Sequence, residues 1–188
     1  MNGNSKANTG DIERLVKASQ AGDRGAFDEI MRLYQRRAMR IAVRMLGNAD
    51  EAAEAVQSGF VKAYLSIKKL REPKRFESWF LRIIANTAIS QRKAAKGRAE
   101  KIKISGDCGS KKVFSPEERE AGKELKEAIQ RAMLKLSKKQ AQAIALFGIE
   151  DLPRGEVAEI MGCSAEVVKW HVFKARQKLK VLLKEYLE

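Results

Sequence analysis

Two groups of residues in this chain have types and spacing suited to chemistry, and both suit binding rather than catalysis. Trp79, Phe80 and Asn86 stand among Lys74, Arg75, Arg82, Arg92 and Lys93. Aromatic faces stack on unpaired bases and basic side chains track a phosphate chain, so this group fits a binder of single-stranded nucleic acid. Much of its apolar part, Phe76, Phe80, Ile83 and Ile84, also fits a core. The informative residues are those off the core face, Asn86 and the basic set. The second group is Glu166, Val167, Lys169, Trp170, Phe173, Lys174 and Gln177. Exposed aromatics amid lysines suit a major-groove reader, where apolar groups meet thymine methyls and Lys meets phosphate or guanine. Packing of Trp170 and Phe173 on a partner helix stays open as the plainer alternative.

Catalytic patterns are missing from the sequence. There is no phosphate-cradling loop ending in Gly-Lys-Ser/Thr, no His-Glu-x-x-His and no nucleophile elbow. His171 is the only histidine. With Cys163 it supplies two ligands, too few for a zinc site, so no metal or cofactor is expected. The chain is not expected to be an enzyme.

Helical geometry explains how the second group could be presented. At about 100° per residue, Val168, Val172, Ala175 and Leu179 share one stripe. Glu166, Trp170, Phe173 and Gln177 fall opposite, flanked by Lys169 and Lys174. Ahead of this helix, Gly162-Cys163-Ser164 makes a turn and Pro153 opens a short helix to Met161. Helix, glycine-containing turn and helix make a helix-turn-helix. Further upstream, Ser137 caps a helix from Lys138 to Phe147, and Ser115-Pro116-Glu117-Glu118 starts one that ends near Leu136.

The first half of the chain shows three more helices. Phe27, Met31, Tyr34, Ala38, Ile41 and Met45 recur every three or four residues, as one helix face does. Gly47 ends that helix, and a second starts near Ala49 with Asp50 and Glu51 at its positive end. Its face runs through Val56, Phe60, Ala63 or Tyr64, and Ile67. After Pro73 a third runs from about Phe76 to Arg92. Residues 94–114 contain Gly97, Gly106 and Gly109 and lack periodicity, which reads as a linker. Residues 1–10 read as a disordered tail. The expected architecture is therefore all-α, with helical domains at 11–93 and 115–188 joined by a flexible linker.

Charge and composition agree. Lys and Arg number 38 against 24 Asp and Glu, a formal net charge of +14. Residues 11–98 hold 19 of the basic and 10 of the acidic residues. Such a balance favours an anionic partner, nucleic acid first. A hydrophobic content of 44% is enough for a core. No apolar run approaches the roughly 18 to 20 residues that span a bilayer. Two cysteines make no disulfide framework, so a reduced, cytoplasmic protein is expected.

Taken in order, the motifs resemble the extracytoplasmic-function (ECF) sigma factors of bacterial RNA polymerase, over about Asp11 to Leu187. Leu46-Gly47-Asn48-Ala49-Asp50-Glu51-Ala52, then Val56-Gln57 and Phe60, is similar to the helix that grips the polymerase clamp. Phe76-x-x-Trp79-Phe80-x-Arg82-Ile83-x-Ala85-Asn86 resembles the part that melts and reads the −10 element. Val157 to Ser164, with Val167-Val168-Lys169 and Lys174-Ala175-Arg176-x-x-Leu179, resembles the −35 reader. The resemblance implies core polymerase and promoter DNA, duplex and single-stranded, as partners. Asp50, Glu51, Glu54, Gln57 and Phe60 would meet the clamp. An anti-sigma protein often accompanies such factors. Two departures stand out. Where the family's clamp helix usually reads Leu-Val-Gln-Glu, this chain reads Ala55-Val56-Gln57-Ser58, so one carboxylate and one large apolar group are missing, and Gly59 weakens a helix by roughly 1 kcal/mol relative to Ala. Trp170-His171 stands where the family often has Ser-Arg, so the promoter sequence does not carry over. From the residues alone, a stand-alone helix-turn-helix regulator and a non-initiating interaction module remain alternatives.

Overall fold

The structure is a computed structural model that describes residues 9–104 and 120–186. The residues at 9, 93–104, 120–123 and 126 are described by their backbone only. The expected helix start at Ser115-Pro116 and residues 105–114 of the expected linker lie outside the described residues. So does the expected tail up to Asn8.

Among the described residues the elements are all helical. The N-terminal bundle contains α1 (Thr9–Gln20), α2 (Arg24–Leu46), α3 (Ala49–Ser66) and α4 (Phe76–Ile104). The C-terminal bundle contains α5 (Glu120–Leu134), α6 (Lys138–Ala143), α7 (Arg154–Met161) and α8 (Ala165–Leu182). Short 3-10 turns at Ile67–Lys69 and Pro73–Arg75 connect α3 to α4. No helix among the described residues is long and apolar enough to cross a membrane.

Helix α1 was not foreseen, because its apolar positions are few: Ile12, Leu15 and Val16 are its buried hydrophobics. It braces the α3–α4 connection. Gln20 Nε2 donates to the carbonyls of Ile67 and Leu70 at 2.9 and 2.8 Å. Asp23 then caps α2 by accepting from the Ala26 amide, and Gly47 closes it in the left-handed conformation that Gly adopts at no steric cost. On α2 the buried face is the expected one with Ile30 in place of Met31, which packs only partly.

The core of this bundle is aromatic. Tyr34 meets Phe76 and Phe80 edge-on at 5.4 and 5.5 Å, and Phe60 lies 4.9 Å from Phe80. Such pairs add roughly 0.5–1.5 kcal/mol beyond burial. Gly59 faces α4, and a Cβ placed there would sit 2.5 Å from Ile84 Cδ1. The residue that lowers helix propensity thus permits close packing of α3 on α4.

Two expected boundaries moved. Helix α4 continues to Ile104 instead of ending near Arg92, so its backbone runs through the first part of the expected linker. Periodicity fades after Arg92, but Ala, Lys, Arg and Glu are strong helix formers and carry the helix on. In the C-terminal bundle, α6 passes at Ile144 into a π-helical turn, Ile144–Ile149. Ser137 starts α6 with a capping box completed by Gln140.

The bundles touch. Arg40 grips Glu150 through two hydrogen bonds of 2.8 Å, and Arg37 Nε lies 3.5 Å from the same carboxylate. Glu159 of α7 accepts from Arg75 at 3.1 Å. Leu134 lies over Gly47, 3.3 Å from where a Cβ would be.

Candidate nucleic-acid interface

Helix α8 presents one face outward. Ser164 caps it by accepting from the Val167 amide at 3.3 Å, and Gly162, left-handed at φ 64°, turns the chain into it. Val168, Val172 and Ala175 are buried. Glu166, Val167, Lys169, Trp170, Phe173, Lys174 and Gln177 are all exposed, Trp170 by 53% and Phe173 by 55%. The plainer alternative, an aromatic face buried on a partner helix, does not hold within this chain. Phe147, Arg154 and Arg176 line the same groove as Trp170 and Phe173. Sequence reasoning named Arg176 only within the −35 motif and missed Phe147 and Arg154. Arg176 is on α8, but Phe147 and Arg154 arrive from earlier elements and carried no signal of their own. His171, beside Trp170, is held below the ordinary histidine range by partial burial and by Lys139.

The face of α4 is more mixed. Asn86 is exposed, and Trp79 is half-buried against Phe76, ring centroids 5.8 Å apart. Phe76, Phe80 and Ile84 are fully buried, as a core reading expects, while Ile83 is partly so. Lys74 lies exposed, 3.8 Å from Glu72. The three arginines turn to the C-terminal bundle. Arg75 binds Glu159, and Arg82 Nε donates to the Ile160 carbonyl at 3.1 Å. Arg92 donates to the carbonyls of Met133, Leu134 and Leu136, which it reaches at 3.4 and 2.9 Å for the first and last. Burial lowers the Arg92 pKa from its ordinary value. The Lys93 side chain lies outside the described residues. Lys68, Lys69 and Arg71 on the α3–α4 connection are exposed and were missed, although three basic residues within four positions were a readable signal.

On α3, Asn48 caps the helix by accepting from the Asp50 and Glu51 amides at 2.8 and 3.2 Å. Asp50, Glu54 and Gln57 are exposed and Glu51 is half-buried, an acidic edge on a basic bundle. Phe60 differs from this set. It is 4% exposed and packs on Phe80, because it shares the buried phase of Val56 and Ala63. It contributes only an edge to a shallow apolar groove, shared with Phe27, Met31 and the exposed Val61, Tyr64 and Leu65.

A chain with an acidic helix edge, a basic aromatic-backed helix and a helix-turn-helix whose second helix is bare on one side is a promoter-recognition protein by class. The description Sigma-70 region 2 matches residues 30–98, and Sigma-70 region 4 matches residues 126–179. The chain is 30% identical over 182 residues to the ECF RNA polymerase sigma factor SigW of Bacillus subtilis, covering 93% of this chain and 97% of that one. It is 29% identical over 184 residues to the RNA polymerase sigma-H factor of Pseudomonas aeruginosa, covering 93% and 95%. Its fold is similar to that of CnrH solved with the cytosolic domain of CnrY, with a TM-score of 0.68 at 22% identity over 93% of this chain and 98% of that one. The sigma factor RpoE solved with the anti-sigma factor NepR from Bartonella quintana gives 0.63 at 24% identity, over 84% and 96%. The chain belongs to the ECF sigma factors of the sigma-70 family. It is an RNA polymerase sigma factor that serves promoter-specific transcription initiation.

Proposed function

We propose a division of labour within that activity. The exposed face of α8 reads the −35 element as duplex, with Lys169, Trp170, Phe173 and Gln177 at base edges and Lys174 at phosphate. The α4 face, with Asn86, Trp79, Lys74, Arg75, Arg82, Arg92 and Lys93, takes the opened strand at the −10 element. The acidic edge of α3 meets core polymerase. The protein works in the cytoplasm as a non-enzymatic subunit, and an anti-sigma protein is a fitting regulator, as in the solved complex of RpoE with NepR.

The observation that carries this reading is the sorting of α8. Val168, Val172 and Ala175 are buried, while Trp170 and Phe173 stay bare and flanked by basic residues. A bare apolar face costs solubility unless a partner covers it. A groove floor lined by thymine methyls and ringed by phosphates matches both its apolar and its cationic parts.

The test pairs the chain with core polymerase and a promoter library and reads specific run-off transcripts. Asn86→Ala is expected to slow promoter opening, read as permanganate reactivity of promoter thymines, while duplex binding stays close to the parent. Normal opening with only duplex affinity reduced would remove the single-strand role from α4.

A further inference from the structure

We propose that Gln20 is a positioning residue for promoter opening: its amide fixes the α3–α4 connection so that Lys68, Lys69 and Arg71 stand in place at the head of the α4 face. The proposal rests on the assignment of α4 made above and extends it to a half-buried side chain on another helix.

The connection is dense in charge. Residues 68–75 hold Lys68, Lys69, Arg71, Lys74 and Arg75, with Glu72 as the one acid among them. Like charges at this spacing repel one another, and a short segment that carries them tends to spread. Glu72 answers the second half, where it pairs with Arg75 at 3.1 Å and lies 3.8 Å from Lys74. The first half is held through its main chain.

Gln20 Nε2 donates to the carbonyl oxygens of Ile67 and Leu70, and these two acceptors bracket Lys68 and Lys69. An amide nitrogen carries two N–H groups, so one side chain fills both contacts. Each carbonyl belongs to a residue whose side chain is buried, Ile67 at 2% exposure and Leu70 at 9%. The apolar side chains turn inward and their carbonyls are tied to α1. The two lysines between them face solvent, as does Arg71. Helix α1 lies against both 3-10 turns of the connection and against α4, and Gln20 is its last residue. The amide is thus the tip of a brace rather than an isolated contact.

Such a hold bears on opening more than on recruitment. A strand released from the duplex must be caught before it pairs again. A basic segment already in place catches it with no further loss of conformational freedom. A loosened connection keeps its charge but must first be ordered. Duplex reading at the −35 element, assigned to α8, makes no use of this segment.

The experiment uses the full chain in holoenzyme on the strongest run-off promoter. Gln20→Met keeps the length and the apolar stem and removes both donors. The rate of passage from closed to open complex, read by permanganate reactivity, should fall about tenfold, since two hydrogen bonds no longer order the connection. Affinity of the closed complex should stay within about twofold of the parent. A variant that merely folds poorly behaves the other way: it lowers the amount of complex and leaves the rate of each complex unchanged. In a Lys68→Ala, Lys69→Ala, Arg71→Ala background, Gln20→Met should slow opening by less than a further factor of about two, because the side chains it positions are gone. In the free chain, amide exchange should quicken over residues 67–71 and keep its parent rate in α2.

An opening rate unchanged by Gln20→Met overturns the proposal. So does the same slowing in the alanine background, which would mean that Gln20 acts through other residues, or amide exchange unaltered across the connection. Failure of the α4 assignment has a separate signature: Asn86→Ala would leave promoter opening by the holoenzyme normal.

Discussion

Arg82 on α4 donates through Nε to the main-chain carbonyl of Ile160 on α7, 3.1 Å away. The acceptor belongs to the last turn of a helix, and the donor belongs to the face proposed to hold opened DNA. One side chain thus links the two bundles. Gly162 leaves room beside the link: a Cβ at that left-handed position would fall 2.6 Å from Arg82 Nη2, and the guanidinium end would have to shift. The same glycine forms the turn of the helix-turn-helix, so one residue serves local geometry and bundle docking together.

Gly59 sets the distance between α3 and α4. Gly59→Ala brings two opposing effects. Helix propensity favours Ala by about 1 kcal/mol. The added methyl falls 2.5 Å from Ile84 Cδ1, and Ile84 is fully buried, so its end must shift within a packed core. Overpacking of this kind costs roughly 1–3 kcal/mol. The expected outcome is net destabilisation, seen as a lower urea midpoint at unchanged m-value. A higher midpoint would show that Ile84 finds another rotamer.

The acidic edge of α3 has its own consequence. Asp50 and Glu54 are exposed on an otherwise basic bundle, so their charges are available to a basic protein surface. Reversing both to Lys is expected to weaken co-elution with core polymerase and to leave melting of the free chain within about 0.5 kcal/mol of the parent. Co-elution unaffected by the reversal would take polymerase binding off this helix.

Much of this was legible in the sequence, and the particular residues show why. The three- and four-residue spacing from Phe27 to Met45 and from Val168 to Leu179 is a direct imprint of helical period on burial, and both helices follow it. Helix α1 left a weaker imprint, because it buries only Ile12, Leu15 and Val16 and also holds through the amide of Gln20, which a hydrophobic pattern does not register. Gly59 was readable only as a poor helix former; its use depends on Ile84, 25 positions away. The roles of Arg75, Arg82 and Arg92 were hidden for the same reason. A basic side chain looks alike in sequence whether it awaits phosphate or caps another helix.

His171 gives a pH dependence with a definite sign. Partial burial, then the nearby Lys139 charge, lowers its pKa below the ordinary 6.5. Protonation is therefore easier in the unfolded chain, which binds more protons below that pH. Stability should be full above pH 6.5 and should decline as pH falls through the window between 6.5 and the lowered folded value. His171→Gln removes this component. Thermal melts of parent and variant from pH 7.5 to 5 should diverge toward acid, with the parent losing more. Parallel curves would mean that His171 titrates alike in both states.

The two faces of α8 make opposite predictions, and the contrast separates recognition from structure. Val168 and Val172 are buried at 0% and 5%, so truncation to Ala removes apolar contacts and leaves a cavity. Each should cost roughly 1–3 kcal/mol of stability. Trp170 and Phe173 stay more than half exposed, so Trp170→Ala and Phe173→Ala should leave the melting temperature nearly unchanged. Both should instead shift or relax base preference at the −35 element, by about 1–3 kcal/mol per lost base contact. Lys174→Ala should behave in a third way. If Lys174 meets phosphate, its loss weakens binding evenly across sequences and lowers the slope of log affinity against log salt by about one unit. The measurement is a promoter-library selection run with holoenzyme beside thermal melts of each full-length variant. Should Trp170→Ala melt the protein as badly as Val168→Ala and leave base preference intact, the aromatic face would be structural, and the −35 assignment would pass from α8 to another surface.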